Sequence, residues 1–245
     1  MLLPAELVWR GLSRRRPTPL PRLFHAALGR ALGLDVVTHG RPAAQGPLLF
    51  VANHLSWADI PLLGSRIPRA AFIAKSDVGG WGLVGRFADL GHTVYVEREH
   101  RLKAAQQRDG IAARLARGDR LILFPEGTNG DGVQLLPFKS ALFGVADGVH
   151  ELLIQPVTLA YTRINGLPVT RRILPALAWV GETELLPHAR AFTALGRVRA
   201  EIIFHPPVQA ADFADRKALA RHCETEVAQG YRQLMRTGSP PPARL

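Results

Sequence analysis

An α/β domain built on a largely parallel sheet is the fold class this sequence predicts, and three observations predict it. Apolar runs of strand length recur at residues 47–52, 70–74, 93–96 and 120–124. Long stretches with helical character lie between some of them, and strands interleaved with helices favour parallel pairing through crossover connections. The 245 residues are 47% hydrophobic and 21% charged, enough to bury a sizeable core in one large domain.

The elements follow in order. Leu20, Leu23, Phe24, Leu28, Leu32 and Leu34 fall close to helical spacing, with Arg22, His25 and Arg30 between them. Such a stripe belongs to an amphipathic helix, which either packs on a core or lies in a membrane interface. The run 47–52 ends at Asn53 and reads as a buried strand. Residues 99–118 read as a surface helix, with Leu102, Ala105, Ile111, Ala112 and Leu115 set among charges and Gly118 as its C-cap. The strand at 120–124 stops at a Pro/Gly break, and residues 152–161 and 199–204 supply later strands. A C-terminal helix is expected over 212–236, opened by Asp212 and closed by Gly238. No internal repeat, low-complexity block or dividing linker is visible in the sequence.

Charge narrows the function. Lys and Arg number 31 against 20 Asp and Glu, a formal net charge of +11, which points to an anionic partner: nucleic acid, a phosphorylated substrate or a membrane surface. Arginine accounts for 27 of the 31, a bias that codon usage can also produce. Nucleic acid is the poorest of the three, since aromatics are only 7% and no zinc finger, helix-turn-helix or ribonucleoprotein signature is present. The single cysteine, Cys223, excludes a disulfide framework and a thiolate metal cluster, and fits a reducing compartment. No apolar window approaches the roughly 18 residues of a spanning helix, and the N-terminus lacks the apolar core of a signal peptide. Seven arginines and two acids over residues 1–45 instead suit attachment to an anionic membrane surface.

Two polar clusters follow strands directly. In the first, Asn53-His54-Leu55-Ser56-Trp57-Ala58-Asp59, histidine and aspartate are five positions apart. On one continuous helix they would point about 140° apart and could not meet. With His54 in the strand-to-helix turn and Asp59 in the first helical turn, the carboxylate reaches Nδ1, fixes the tautomer and leaves Nε2 as a general base. Ser56 and Asp59 also fit a capping box, and His54 could equally satisfy a buried carbonyl. The second cluster is Phe124-Pro125-Glu126-Gly127-Thr128-Asn129. Ends of parallel strands are where α/β proteins place ligands, although a polar exit turn would use the same Pro and Gly. Arg98, after the strand at 93–96, suits bidentate contact with phosphate or carboxylate, or a solvated surface. Lys75 and Lys139, two of only four lysines, also follow a strand and the second cluster and could supplement an anion site or form salt bridges.

Taken together, HxxxxD at 54–59 and FPEGT about seventy residues later resemble the 1-acyl-glycerol-3-phosphate acyltransferase family. Arg98 falls where that family has a strand-plus-arginine block, and Ile154-Gln155-Pro156-Val157-Thr158 is similar to its late proline-containing strand, so the likeness covers about residues 25–236. The spacing departs at one point: Gly91 precedes Arg98 by seven residues where the family usually has six. FIAKSDVGGWGLVG and LPFKSALFGVAD resemble the bacterial branch that includes lyso-ornithine lipid acyltransferases.

This resemblance implies an acyltransferase domain at 46–238 behind a basic amphipathic helical segment at 1–45, with a flexible tail at 239–245. It implies transfer of an acyl group from a thioester of acyl carrier protein or coenzyme A to the free hydroxyl of a lysolipid. Lysophosphatidate is the first acceptor, lyso-ornithine lipid the alternative, and a catalytically silent lipid-binding relative the remote case. His54 would be the base and Asp59 its support. Arg98 would bind phosphate, Glu126, Gly127 and Thr128 would line the glycerol pocket, and Lys75 and Lys139 would assist. No metal or prosthetic group is implied, and the expected location is peripheral, on the cytoplasmic face of the inner membrane.

Overall fold

In the computed structural model, residues 20–75, 93–96, 101–181 and 183–238 are described, without the side chains of residues 75, 96 and 101–107. The strands nearest the site owe their form to unbroken apolar runs. Leu48–Ala52 (β2) is buried at every position and lies between Arg120–Leu123 (β5) and Leu153–Ile164 (β6), parallel to both. Strand Ala70–Lys75 (β3) pairs with β5 and Val94–Val96 (β4) with β3, again in parallel. Burial of β2 on both faces explains its unbroken apolar run.

Toward the other edge, Val198–Phe204 (β8) runs antiparallel to β6, and Leu34–His39 (β1) pairs in parallel with β8. The sheet order is β1-β8-β6-β2-β5-β3-β4, with the two-residue strands Leu167–Pro168 (β7) and Val208–Gln209 (β9) also paired to β6. The sheet is thus mostly parallel, as expected from the sequence.

Alternation along β2 divides the core in two. Leu48, Phe50 and Ala52 face the side covered by helices Leu20–Ala31 (α1) and Asp59–Arg66 (α2). Leu49 and Val51 face helix Arg101–Ala116 (α3), through Ile111 and Leu115. On that same side, a long C-terminal helix contributes Leu219, Cys223 and Val227. The connection between β6 and β8 carries helices Leu174–Leu177 (α4) and Leu185–Ala194 (α5). The C-terminal helix, Arg216–Thr237 (α6), ends at Gly238, whose φ of +62° suits the left-handed cap.

Three expectations need correction. The helix predicted through Leu34 stops at Ala31, and Leu34–His39 is a strand registered with Val198 to Ile203. Gly33, at φ +75°, breaks the helix, and the following Val36, Val37 and Thr38 favour extended backbone. Secondly, residues 34–39 belong to the main sheet rather than to a separate segment ending at 45. Of the two settings open to the amphipathic helix, α1 shows core contacts: Arg22 Nε donates to the Ser65 carbonyl at 3.1 Å, and Leu28 lies against the buried cluster, while Leu23 stays exposed. Thirdly, Asp212 sits in the short 3₁₀ segment Ala210–Asp212, and α6 is opened by Asp215. The Asp215 carboxylate accepts the Ala218 N–H at 2.7 Å, the contact that defines an N-cap. Among the described residues, no helix is long and apolar enough to cross a membrane.

Candidate active site

His54 leaves β2 into a turn that ends where α2 begins at Asp59. The turn brings the two side chains together: Nδ1 of His54 and Oδ2 of Asp59 are 2.8 Å apart. A carboxylate only accepts, so Nδ1 is the donor and the neutral ring carries its basic lone pair at Nε2. The same Oδ2 also accepts the N–H groups of Leu55 at 2.7 Å and Ser56 at 2.9 Å. Asp59 is fully buried, as expected of a carboxylate whose lone pairs are used by the turn it organises. The capping-box geometry read from Ser56 and Asp59 is thereby half realised, in the reach of the aspartate back to the Ser56 N–H. One carboxylate shapes the turn and contacts the imidazole.

The second cluster lies at the exit of β5, the neighbour of β2. Phe124 stacks on the His54 ring, with centroids 3.9 Å apart and planes 11° from parallel. Glu126 is buried, and its oxygens accept from backbone: Oε1 from His54 N–H at 3.0 Å and Oε2 from Leu136 N–H at 3.3 Å. Gly130 N–H in turn donates to the His54 carbonyl at 2.8 Å. Glu126 of the FPEGT turn and Gly130 just beyond it therefore hold His54 at its amide and its carbonyl. Gly127 takes φ +76°, a conformation glycine adopts without strain, and Thr128 is exposed. Lys139 is exposed and is brought beside the turn by its N–H, which donates to the Pro125 carbonyl at 2.9 Å. Lys75 ends β3, and its side chain lies outside the described residues, as does all of Arg98.

Other residues that brace the turn left weaker traces in the sequence. Asn53 spans from β2 to β6, its amide donating to the Leu159 carbonyl and accepting the Leu159 N–H, each at 2.8 Å. Trp57 Nε1 donates to His188 Nδ1 at 2.9 Å, and His188 Nε2–H donates to the Ala178 carbonyl at 2.9 Å, which ties the turn to α5. Tyr161 on β6 donates its hydroxyl to Asp59 Oδ1 at 2.7 Å. Only Asn53 had a local signal, its place before His54. Cys223 is buried in α6, and burial pushes its thiol up to about 12, so it stays a protonated packing group. Among the described residues, no cluster of three His, Cys, Asp or Glu side chains is placed to hold a metal ion.

Burial pushes the Glu126 carboxyl up to about 8, opposed by the two backbone N–H groups and reinforced by the negative charge of Asp59. The folded protein therefore keeps a proton at Glu126 that the unfolded chain releases above about pH 4.5. Stability from this group is complete below that pH and is lost as pH rises toward 8, at up to about 1.4 kcal/mol per pH unit. Glu126→Gln cannot titrate and is expected to remove that slope, whatever its uniform cost. Urea unfolding of both proteins from pH 5 to 8 checks this, and parallel curves would contradict it.

A histidine–aspartate pair and a glutamate–glycine turn thus stand side by side at the exits of two neighbouring strands of a mostly parallel sheet. The family model described as Acyltransferase matches residues 34–160, just over half of the chain, and this chain belongs to that family. It is 42% identical to the lyso-ornithine lipid O-acyltransferase of Brucella abortus, over 92% of this chain and 86% of that protein. Identity to the 1-acyl-sn-glycerol-3-phosphate acyltransferase of Neisseria gonorrhoeae is 31%, over 80% of this chain and 73% of that one. The crystal structure of the 1-acyl-sn-glycerophosphate acyltransferase of Thermotoga maritima shares the fold, with a TM-score of 0.64 at 23% identity, covering 89% of this chain and 79% of that one.

Proposed function

We propose that this O-acyltransferase of lipid metabolism uses lyso-ornithine lipid as its preferred acceptor, with lysophosphatidate as the second. In either case a fatty acyl group passes from a thioester to the free hydroxyl of a lysolipid. The observation that carries the chemistry is the 2.8 Å contact between His54 Nδ1 and Asp59 Oδ2. Nε2 of His54 takes the hydroxyl proton as the oxygen attacks the thioester carbonyl, and returns it to the departing sulfur when the tetrahedral intermediate collapses. Asp59 holds the tautomer and stabilises the imidazolium formed between those steps. The thioester, carried by acyl carrier protein or coenzyme A, supplies the driving force, so the reaction needs no prosthetic group. Support for the acceptor comes from the 42% identity to the lyso-ornithine relative against 31% for the lysophosphatidate relative.

Offering the purified protein both acceptors with one acyl-carrier donor tests this reading. Ornithine lipid formed with the higher kcat/KM supports it. Preferential formation of phosphatidate reverses the order of acceptors, and thioester hydrolysis with neither product overturns lysolipid acylation. Arg98 is proposed to bind the anionic group of the head, the phosphate of lysophosphatidate or the carboxylate of lyso-ornithine lipid, with Lys75 and Lys139 assisting and Gly127 and Thr128 beside the acceptor's backbone. A charge-assisted contact contributes about 1.5–3 kcal/mol, so Arg98→Ala should cost about 10- to 150-fold in kcat/KM for lysophosphatidate. The loss should be clearly smaller for lyso-ornithine lipid, which has no phosphate; equal losses would remove Arg98 from phosphate recognition.

Peripheral attachment to the cytoplasmic face of the inner membrane is proposed through the basic residues ahead of α1, among them Arg14, Arg15 and Arg16. Each basic residue near an anionic surface contributes about 1 kcal/mol. Neutralising these three should weaken co-sedimentation with anionic liposomes, and added salt should do the same. Binding insensitive to both would refute electrostatic attachment.

A further inference from the structure

We propose that Tyr161 is a positioning residue for acyl transfer, holding the free oxygen of Asp59 from a strand of the main sheet and thereby setting the orientation of His54. This rests on the reading of His54 as the general base. The geometry separates the two carboxylate oxygens by origin. All three donors to Oδ2, from His54, Leu55 and Ser56, belong to the same short turn. Oδ1 receives its hydrogen bond from a residue 102 positions away in sequence, the Tyr161 hydroxyl at 2.7 Å. A carboxylate anchored only through Oδ2 would share whatever motion its turn has. The bond to Oδ1 fixes the carboxylate plane to the sheet.

Its strand carries the phenol into place. The pairing of β2 with β6 ends at Ala52 opposite Val157, yet β6 runs on to Ile164. That overhang passes the catalytic turn and bears Tyr161. The ring is buried and packs edge-on to Phe192 of α5, with centroids 6.1 Å apart. Two positions earlier, the paired hydrogen bonds between Asn53 and Leu159 tie β6 to the residue just before His54. Burial and the negative charge of Asp59 push the phenol well above its ordinary value, so it remains a donor.

Two effects follow from a neutral donor at Oδ1. It orients the acceptor of the His54 proton, and it draws negative charge away from the oxygen that faces the imidazole. Without it, Asp59 would be less well aimed and would attract a protonated His54 more strongly. Turnover should fall, and the acidic limb of the pH–rate profile should move to higher pH. Among the described residues, the other titratable groups in the field of Asp59 are Glu126 at the β5 exit and Tyr231 of α6, whose hydroxyl donates to the Gly132 carbonyl. Neither loses a partner when the Tyr161 hydroxyl is removed.

The test compares the full-length wild-type protein with Tyr161→Phe, which keeps the buried ring, and with 3-fluorotyrosine at position 161, a stronger donor of nearly the same shape. Tyr161→Phe is expected to lower kcat about tenfold with acceptor KM within about twofold, within the range for losing a hydrogen bond to a charged group. Its acidic limb should rise by about half a pH unit or more, and that of the fluorotyrosine protein should fall. A packing role alone would move neither limb. Unchanged limbs in both proteins overturn the proposal, and the fluorotyrosine result decides it alone if the phenylalanine variant does not fold. His54→Ala separates the two layers. If it retains turnover, the general-base reading fails; if it is inactive while Tyr161→Phe behaves as wild type, the positioning role alone fails.

Discussion

His54→Ala is expected to lower kcat by at least about 10²-fold while leaving the fold intact, the scale of a lost general base. When the ring stacked on Phe124 is removed, the Asp59 carboxylate loses one donor and keeps those from Leu55, Ser56 and Tyr161. The backbone bonds that hold position 54, from its N–H to Glu126 and from Gly130 N–H to its carbonyl, survive the substitution. The effect should therefore fall on turnover, with acceptor KM changing far less. Single-turnover assays on protein with wild-type circular dichroism measure it, and a folded variant with near-normal kcat would remove His54 from the mechanism.

Asp59→Ala should be the costlier change, because it removes stability together with activity. Four donors converge on this carboxylate: the His54 ring, the Leu55 and Ser56 amides, and the Tyr161 hydroxyl. Alanine leaves all of them in a buried site, where each unsatisfied group costs about 1–3 kcal/mol before relaxation. A loss of more than about 3 kcal/mol in urea unfolding is expected, alongside a fall of at least about 10²-fold in kcat. Asp59→Asn keeps one acceptor oxygen for the turn and should recover much of the stability while remaining poorly active. Equal stability of the wild-type and alanine proteins would mean that the turn does not depend on the carboxylate.

The contact between His54 and Asp59 was legible in the sequence because it is local: five positions fail on a helix and succeed across a turn. The approach of the FPEGT cluster was legible in outline, since both motifs follow apolar strands. That Glu126 grips the backbone of His54 was not legible, because it depends on β2 and β5 being neighbours. Tyr161 left no local trace, as its reach depends on the overhang of β6 and on sheet order. Direction of β8 was hidden for a related reason: the helical connection carrying α4 and α5 resembles a parallel crossover, yet β8 returns antiparallel to β6. At the helix ends, Asp212 and Asp215 present the same side chain, and backbone conformation alone decides which one caps α6.

The adjacency of β2 and β5 has a consequence for how the site is measured out. Val51 stands opposite Leu123, so the two exits start one strand spacing apart, about 4.8 Å, although some seventy residues of chain separate them. The distance that chemistry needs is thus set by a ladder of main-chain hydrogen bonds, not by the length of polypeptide that connects its two sides. The chain between Asp59 and β5 is a detour whose length does not set the spacing of the two exits. What must be conserved in such an arrangement is the register of two strands, and lengthening or shortening the detour leaves that ruler untouched so long as both strands still enter the sheet side by side.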